Sequence, residues 1–390
     1  MKPAGHAFAG DALLAERVFD GYRMHHHSAV IIEDGRVSGI APQSDVPAGY
    51  SRQSLPPHAI LAPGFIDVQV NGGGGVLLND DPSADGMRSI ARAHRQFGTT
   101  SCLPTLITDV REKAQAAIAA ARDAAGHDGV LGLHLEGPFI NPARAGIHPP
   151  EQIAVASLAD LAWLRELAGC GVSLITLAPE CVPAGFVQSL VKASIIVAAG
   201  HTETTLATLN GAIADGLRAV THLHNAMTPM RAREPGAVGA ALSDPRLFAT
   251  LIVDGIHVDA AVLRASFAAM GVERIALITD AMPTVGGQHD AFQLNGRTIT
   301  LRDGRLSSDT GTLAGAHLDM ATAVRLSVQL AAISLEDALR SASLTPARLL
   351  GLAPERGTLT AGAHADIVAL DGELRVLATW VSGVGMEHGA

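Results

Sequence analysis

The chain lacks several features that define large classes of protein. It has no apolar run long enough to cross a bilayer, although hydrophobic residues make up 48% of its 390 residues, so no membrane span is expected. Its three cysteines, Cys102, Cys170 and Cys181, show no paired spacing, which argues against a disulfide framework and against a thiolate zinc site. A formal charge of −10 disfavours nucleic acids and acidic membranes as partners, because both require a broad basic surface.

Internal repeats and low-complexity segments are also missing, which is typical of an ordinary globular protein. A length of 390 residues suits one large α/β domain with a smaller appendage. The first residues read MKPAGHAFAGDALLAERVF, which has one lysine but no continuous apolar core, so a signal peptide is not expected. The predicted location is therefore the cytoplasm.

Short apolar runs alternate with helical stretches through the middle of the chain. Seven runs are typical of buried strands: SCLPTLI, LGLHLEG, VSLITLAPE, IIVAAGH, AVTHLH, LIVDGIH and IALITDAM. Continuous apolar strands separated by helices indicate a parallel sheet that is covered on both faces. With APGFIDVQV before them, the runs reach the number of strands that closes a barrel. We predict a TIM-type (β/α)8 barrel over residues 61–345.

The two ends of the chain differ from the middle, because each carries a hairpin signal. Asp34-Gly35 and Asp371-Gly372 separate β-rich runs, and we predict a small β-sandwich built from residues 1–60 and 346–390. The latter part also contributes a helix. Two further signals of this kind, Asn295-Gly296 and Asp303-Gly304, predict a β-hairpin insertion in the barrel near residues 290–312.

Strand after strand ends its apolar run in an ionisable residue. In a parallel barrel the carboxyl ends of the strands meet on one face, where barrel active sites are found, so these side chains are expected to converge. A single such histidine is more often structural than functional, and it is the recurrence that favours a site. The residues are Glu136, His201, His222, His224, His257 and Asp280.

These residue types suit a metal-dependent hydrolase. A catalytic divalent ion takes about three ligands from histidine and carboxylate, and Glu136, His201 and His222 supply that set. Asp280 would then take a proton from the attacking water and return it to a leaving group. Spacing alone does not show which of His222 and His224, or which of His134 and Glu136, binds the metal, because residues two apart on a strand share a face.

The motifs resemble those of the N-acetylglucosamine-6-phosphate deacetylases in the amidohydrolase superfamily. The similarity covers nearly the whole predicted barrel through PGFIDVQVNG, LGLHLEGPFINPARAGIHP, AAGHTETT, THLHNAMTPMRAREPG, VDGIHVD, LITDAMP and GTLAGAHLDM. This resemblance implies hydrolysis of the acetamide of N-acetyl-D-glucosamine 6-phosphate to D-glucosamine 6-phosphate and acetate. The same reaction on the N-acetylgalactosamine epimer is the alternative, since the two sugars differ in one hydroxyl group.

The resemblance also implies roles for individual residues. Glu136, His201 and His222 would bind the metal, Asp280 would be the general base and acid, and His148 would stabilise the oxyanion or hold a sugar hydroxyl. The implied contacts to the substrate are Asn225, Ala226, Arg233, His257 and Leu313. Arg233 and His257 match the pair that binds the phosphate. In the family one of these two groups reaches in from a neighbouring subunit, which implies a homodimer.

The first barrel strand predicts how many metal ions are held. Family members with His-x-His on this strand hold a second metal there, whereas we expect Asp67 and Gln69 in those places. An amide oxygen is a poorer ligand than imidazole, so one divalent ion per subunit is predicted, with Gln69 linked to it through water or a hydrogen bond. Zinc is the expected ion, and iron, manganese and cobalt suit the same ligands.

Two other functions are less compatible with the sequence. Amidohydrolases of cyclic amides commonly bridge two metals with a carboxylated lysine, but the only lysines are Lys2, Lys113 and Lys192. Lys192 precedes its strand and Lys113 lies in a predicted helix, so neither reaches the carboxyl ends of the strands. An inactive barrel that only senses a sugar phosphate is disfavoured by the presence of the complete set of catalytic residue types.

Overall fold

A computed structural model describes residues 10–388. Residues 1–9 and 389–390 lie outside the described residues. They include the start of the predicted N-terminal part of the β-sandwich and about half of the N-terminal segment in which no signal peptide is expected. Among the described residues, none of the helices combines the length and the apolar composition needed to cross a bilayer.

The described residues form 21 strands: β1 (Asp11–Phe19), β2 (Met24–Glu33), β3 (Arg36–Pro42), β4 (Ser51–Ser54), β5 (Ile60–Pro63), β6 (Phe65–Val70), β7 (Gly72–Gly73), β8 (Val76–Leu77), β9 (Thr99–Ile107), β10 (Gly132–Glu136), β11 (Val172–Leu177), β12 (Ile196–Ala199), β13 (Ala219–Val220), β14 (Phe248–Ile252), β15 (Ile275–Ile278), β16 (Ala291–Leu294), β17 (Arg297–Arg302), β18 (Arg305–Ser308), β19 (Ile367–Leu370), β20 (Val376–Val381) and β21 (Val384–Glu387).

They also form ten α-helices: α1 (Ala84–Arg95), α2 (Arg111–Ala124), α3 (Leu161–Leu164), α4 (Phe186–Lys192), α5 (Leu206–Ala214), α6 (Gly236–Ser243), α7 (Ala260–Met270), α8 (Met320–Leu330), α9 (Leu335–Ala342) and α10 (Leu344–Leu350). Side-chain oxygens cap several helix starts by accepting a backbone N–H of the first turn, as Ser83, Asp259 and Asp319 do for α1, α7 and α8.

Eight parallel strands form the barrel in the order β6, β9, β10, β11, β12, β13, β14 and β15. The gap between the first and the last strand is bridged just past the end of β15. There the Asp280 N–H donates to Gln69 O over 3.0 Å and the Asn71 N–H donates to Ala281 O over 2.9 Å. All residues of β6, β9 and β10 are buried, as expected for strands covered by helices outside and side chains inside. The predicted barrel is confirmed.

A separate sheet is built from both ends of the described chain. It has eight strands in the order β21, β20, β19, β5, β1, β2 and β3, with β4 also paired to β1. The Asp34-Gly35 turn joins β2 to β3 with φ angles of 48° and 73°, the left-handed conformation that glycine and aspartate tolerate best. The predicted β-rich unit from both termini is thereby confirmed, while the exact domain limits stay a prediction.

A three-stranded antiparallel sheet, β16, β17 and β18, follows the last barrel strand. Its turns lie at Asn295-Gly296 and Asp303-Gly304, and all four residues have positive φ. The inner face of this sheet, through Leu294, Ile299 and Leu306, packs with Ile107 and Met282 at the barrel mouth. The insertion therefore forms part of the wall around the carboxyl ends of the strands.

Candidate metal centre and active site

A cavity of about 400 Å³ opens at the carboxyl ends of the barrel strands. Most of the side chains singled out in the sequence line it, although they come from widely separated parts of the chain. The predicted site residues in its wall are Glu136, His148, His201, His222, Asn225, Ala226, His257, Asp280 and Leu313. Arg233 is exposed and is not among the residues that line this cavity in its own chain.

Three potential metal ligands meet at one point of the wall. Glu136 Oε1 lies 2.9 Å from His222 Nε2 and 3.3 Å from His201 Nε2, and the two ring nitrogens are 3.1 Å apart. Ligand atoms around a tetrahedral zinc ion, with bonds of about 2.0 Å, are separated by roughly 3.3 Å. The donor set therefore fits one divalent cation, both in its chemistry and in its spacing.

The tautomer of His201 supports the same conclusion. Its Nδ1 lies 2.8 Å from the backbone oxygen of Arg144, so Nδ1 carries a proton and Nε2 is the nitrogen left for a metal ion. Glu136 Oε1 and the Nε2 atoms of His201 and His222 converge so closely that their lone pairs repel unless a metal ion or a proton lies between them. A backbone carbonyl that orients a ligating imidazole in this way is common around metal sites.

His148 adds a fourth side chain to this cluster. Its Nε2 is 3.6 Å from Glu136 Oε2, and Glu136, His148 and His201 also bring their ligand atoms within 4.8 Å of one another. Its other ring nitrogen is 2.7 Å from Thr108 Oγ1. Because the separations in the trio with His222 are shorter and share one carboxylate oxygen, we favour that trio as the ligand set and leave His148 beside it.

Burial and neighbouring charge set the protonation of this cluster. Burial alone would raise the pKa of Glu136, but the bonds to three imidazoles bring it well below its usual range, so Glu136 is ionised. Burial, helped by the neighbouring His201, lowers the pKa of His148 to about 4, so its ring is neutral near pH 7. Burial would lower the pKa of His222, but its bond to Glu136 raises it, so a metal ion has to displace a proton from this ring when it binds.

Asp280 is held beside the cluster by two amide side chains. Asn71 Nδ2 donates to Asp280 Oδ1 over 2.6 Å, and Gln69 Nε2 donates to the same oxygen over 3.2 Å and to Glu136 Oε1 over 2.9 Å. These bonds leave Asp280 Oδ2 for the cavity. Burial, and then the charge of Glu136, raise the pKa of Asp280 to about 6, which suits a group that both accepts and donates a proton near neutrality.

The structure corrects the expected pair on the first barrel strand. Asp67 lies deeper in the barrel, where its carboxylate accepts the Thr279 hydroxyl over 2.5 Å and the Gln69 N–H over 3.2 Å. Residues 67, 69 and 71 share the inward face, but each step of two residues advances about 6.6 Å along the strand. The pair at the mouth is therefore Gln69 and Asn71, and Asn71 was missed.

Two acceptor atoms near Asp280 have no hydrogen-bond partner among the described residues. They are Gln69 Oε1 and Asn71 Oδ1, and both are buried. Their amide nitrogens face the carboxylates, which is the orientation expected when Glu136 and Asp280 are ionised. The free oxygens are suited to accept hydrogen bonds from water or from a substrate hydroxyl.

Several of these side chains follow strand ends in an unusual backbone conformation. His201, His222 and Asp280 have φ angles of 48°, 32° and 51°, respectively. A non-glycine residue in the left-handed region costs about 1–3 kcal/mol and persists only where the surrounding structure compensates for it. Such residues cluster at functional sites, and here the turn directs each side chain to the common point at the barrel mouth.

The same turn decides between His222 and His224. The sequence pattern favours a strand through both residues, but β13 ends at Val220, so they lie in a turn and do not share a face. His222 joins the cluster, whereas His224 Nε2 lies 2.8 Å from Ser266 Oγ. His134 is likewise absent from the cavity wall, because its Nε2 lies 2.8 Å from Thr176 Oγ1 inside the barrel.

No described lysine lines the cavity. Lys113 Nζ bonds Asp109 at 2.9 Å and Lys192 Nζ bonds Gln188 at 2.9 Å, each on a helix outside the barrel. Arg144, in contrast, contributes to the cavity wall and pairs with Glu203 at 3.0 Å. Sequence reasoning missed Arg144, although its loop, INPARAGIHP, follows the strand that carries Glu136.

Comparison with known proteins identifies the family. Residues 60–385 match the model of the amidohydrolase family. The chain belongs to the amidohydrolase family. A curated relative from Haemophilus influenzae, named N-acetylglucosamine-6-phosphate deacetylase, is 31% identical over 97% of this amidohydrolase and 99% of the relative. A relative from Shewanella, named N-acetylgalactosamine-6-phosphate deacetylase, is 38% identical over 92% of this chain and 91% of its own.

Solved structures of relatives share the whole architecture of this amidohydrolase. N-acetylglucosamine-6-phosphate deacetylase from Pasteurella multocida matches with a TM-score of 0.93 and 32% identity over 97% of this chain and 100% of the other. A mutant of the Mycobacterium smegmatis enzyme in complex with N-acetyl-D-glucosamine-6-phosphate matches with a TM-score of 0.89 and 32% identity, over 97% and 99% of the two chains.

Proposed function

We propose that this amidohydrolase hydrolyses the acetamide of N-acetyl-D-glucosamine 6-phosphate to D-glucosamine 6-phosphate and acetate. The observation that carries the proposal is the convergence of Glu136, His201, His222 and Asp280 in one cavity at the barrel mouth. Relatives that are named for this activity align over nearly the whole chain, which supports the same reaction for this amidohydrolase.

The proposed cofactor is one divalent ion per subunit, held by Glu136, His201 and His222. Zinc is the expected ion, and iron, manganese or cobalt are compatible with the same donors. Such an ion supplies polarisation of the amide carbonyl and acidifies the attacking water. Gln69 acts on the ligands indirectly, because its amide nitrogen donates to the Glu136 carboxylate.

Asp280 is the proposed general base and then general acid. Its Oδ1 is occupied by Asn71 and Gln69, so Oδ2 takes the proton from the water that attacks the amide carbon. The same oxygen then returns the proton to the sugar nitrogen as the carbon–nitrogen bond breaks. His148, neutral and adjacent to Glu136, is placed to donate a hydrogen bond to the developing oxyanion.

The substrate phosphate is proposed to bind at His257, Asn225 and Ala226, with Arg233 supplied by a second copy of the chain. The exposure of Arg233 and its absence from its own cavity support a contribution to the neighbouring site, and Met230, in the same segment, is 58% exposed. An arginine fork binds two phosphate oxygens at once. We therefore propose a homodimer in which each phosphate site is completed across the interface; the predicted cytoplasmic location stays a prediction.

Mixing two defective variants tests this arrangement. Arg233→Ala and Asp280→Asn dimers, dissociated and reassembled together, should form mixed dimers in which one site has both residues intact, so acetate release at low substrate concentration should recover. The control is Asp280→Asn mixed with Glu136→Gln, because both residues belong to the same chain's site and no mixed dimer contains an intact site. Equal recovery in both mixtures, or in neither, would argue against a shared phosphate site.

The N-acetylgalactosamine 6-phosphate reaction is the second candidate. It is compatible with the 38% identity to the Shewanella relative of that name, which is similar to the 39% identity to a Bos taurus relative named N-acetylglucosamine-6-phosphate deacetylase. Acetate release measured on both hexosamine phosphates, with metal analysis of the same preparation, tests the function. A kcat/KM at least about tenfold higher for one epimer, equivalent to about 1.4 kcal/mol, assigns the substrate. Failure to release acetate from either sugar by the metal-loaded protein would refute the proposed activity.

A further inference from the structure

Asp254 lies behind His257, outside the wall of the cavity. It follows strand β14 by two residues, and its side chain and that of His257 are only 9% and 8% exposed. Asp254 Oδ1 accepts the backbone N–H groups of Ile256 and His257, both over 2.8 Å. Its other oxygen, Oδ2, lies 2.6 Å from His257 Nδ1. The carboxylate of Asp254 therefore fixes both the backbone turn at residues 254–257 and the orientation of the His257 ring.

This contact determines which edge of the ring reaches the ligand. An ionised carboxylate only accepts hydrogen bonds, so His257 Nδ1 must carry a proton. Burial would raise the pKa of Asp254, but the bonds from His257 and from the turn bring it below its ordinary value, so the carboxylate is charged near pH 7. Because His257 lines the cavity while Nδ1 is engaged behind it, Nε2 is left for the ligand.

We propose that Asp254 is a positioning residue for phosphate binding: it orients His257 and keeps a proton on Nδ1, so that the Nε2 edge of the ring faces the substrate phosphate. An imidazolium donates from both ring nitrogens, and its bond to a phosphate oxygen is charge-assisted. The inference rests on the proposed function, because it assumes that the anion at His257 is a sugar phosphate.

A double-mutant cycle on the metal-loaded dimer tests the proposal. Asp254→Asn should raise KM for N-acetylglucosamine 6-phosphate about tenfold, the effect of about 1.4 kcal/mol, with little change in kcat or in KM for N-acetylglucosamine. In the His257→Gln background, Asp254→Asn should change KM very little further, because the histidine ring through which Asp254 acts is no longer present. Equal effects on both sugars, or effects that multiply in the double variant, would overturn the proposal.

Asp371→Asn is the matched control for loss of a turn carboxylate. Asp371 accepts the backbone N–H groups of Glu373 and Arg375 over 2.8 and 2.9 Å, in the sheet formed by the chain ends. This variant should show a lower melting temperature without any change in KM. If Asp371→Asn raised KM for the phosphorylated sugar as much as Asp254→Asn does, the effect of Asp254→Asn would be explained by general destabilisation and not by a role in phosphate binding.

A spectroscopic readout keeps this inference separate from the proposed activity. In protein with ¹⁵N-labelled histidine, the His257 signals can be assigned by their loss in His257→Gln. Nδ1 of His257 should be protonated in the wild type, Asp254→Asn should shift both ring resonances, and inorganic phosphate should shift the Nε2 resonance in the wild type. An unprotonated Nδ1, or identical ring resonances in the two proteins, would refute the positioning role. A wild type that releases no acetate would refute the activity instead.

Discussion

Replacing Asn71 with alanine tests how Asp280 is held for proton transfer. Asn71 is 1% exposed, and its Nδ2 donates to Asp280 Oδ1 over 2.6 Å. A hydrogen bond to a charged group contributes about 1.5–3 kcal/mol, which corresponds to a fall in kcat of roughly 10- to 100-fold if Asp280 loses its orientation. Gln69 keeps its bond at 3.2 Å, so a residual activity well above that of an Asp280 variant is expected.

Asn71→Ala should change KM much less than kcat, because Asn71 contacts the proton-transfer group Asp280 and not the proposed phosphate-binding residues. A change in kcat without an equal change in KM is the signature of an interaction that matters in the transition state. The assay is acetate release from N-acetylglucosamine 6-phosphate over a range of substrate concentrations. The metal content of each preparation must be measured in parallel, because Gln69 connects Asp280 to the Glu136 carboxylate.

Asn79→Ala is the matched control. Asn79 is also a buried asparagine with two contacts from Nδ2, to Ile107 O at 3.0 Å and to Asp109 Oδ2 at 3.1 Å, but it does not line the cavity. Its loss should lower the melting temperature and leave kcat close to that of the wild type. If Asn71→Ala retains full metal content and its kcat stays within about twofold of the wild type, the proposed role of Asn71 in orienting Asp280 is refuted.

Four further predictions concern activity and stability. Asp280→Asn should lower kcat about 100-fold or more, since it removes the proton-transfer group; unchanged acetate release would exclude this role. Arg233→Ala should raise KM for the 6-phosphate far more than for the unphosphorylated sugar, and equal effects would remove it from the phosphate site. Chelation of the metal should abolish acetate release and lower the melting temperature, both being restored by added zinc; activity that survives verified metal removal would contradict the ligand assignment. Because the folded-state pKa of Asp254 is depressed, the stability that its carboxylate contributes is present above about pH 4 and is lost as the pH falls through the folded-state pKa. The difference in melting temperature between the wild type and Asp254→Asn should therefore shrink from pH 7 to about pH 3. A difference that grows over this range would contradict the pairing of Asp254 with His257.

The architecture could be predicted because it depends on local patterns. Continuous apolar runs separated by helices indicated a covered parallel sheet. Asp34-Gly35, Asn295-Gly296 and Asp303-Gly304 marked hairpins in which two successive residues adopt positive φ, whereas the connection at Asp371-Gly372 is longer and neither of these two residues has positive φ. The same reasoning located the cavity, because every barrel strand ends on the same face. Glu136, His201, His222 and Asp280 accordingly line one cavity, although up to 144 positions separate them in the chain.

The details of the site depended on contacts that leave no local signal. Alternation along residues 67–71 indicates that Asp67, Gln69 and Asn71 share a face, but not which of them reaches the barrel mouth. The height of each residue along the barrel axis is set by how β6 pairs with the neighbouring strands. The choice between His222 and His224 depended on where β13 ends, at Val220. The backbone then turns through left-handed conformations that only the surrounding packing can stabilise.

The amino-acid sequence by itself determined the fold class, the face that carries the site, and the kinds of side chain that meet there, because hydrophobic periodicity and turn chemistry act over a few residues. Only the tertiary structure decided that Asn71 holds Asp280 and that Asp254 lies behind His257. It also supplied the geometric reason why His222, which the family resemblance had implied, joins Glu136 while His224 does not. Each of these is a side-chain contact or backbone turn whose geometry depends on how the closed barrel packs, and spacing along the chain does not encode it.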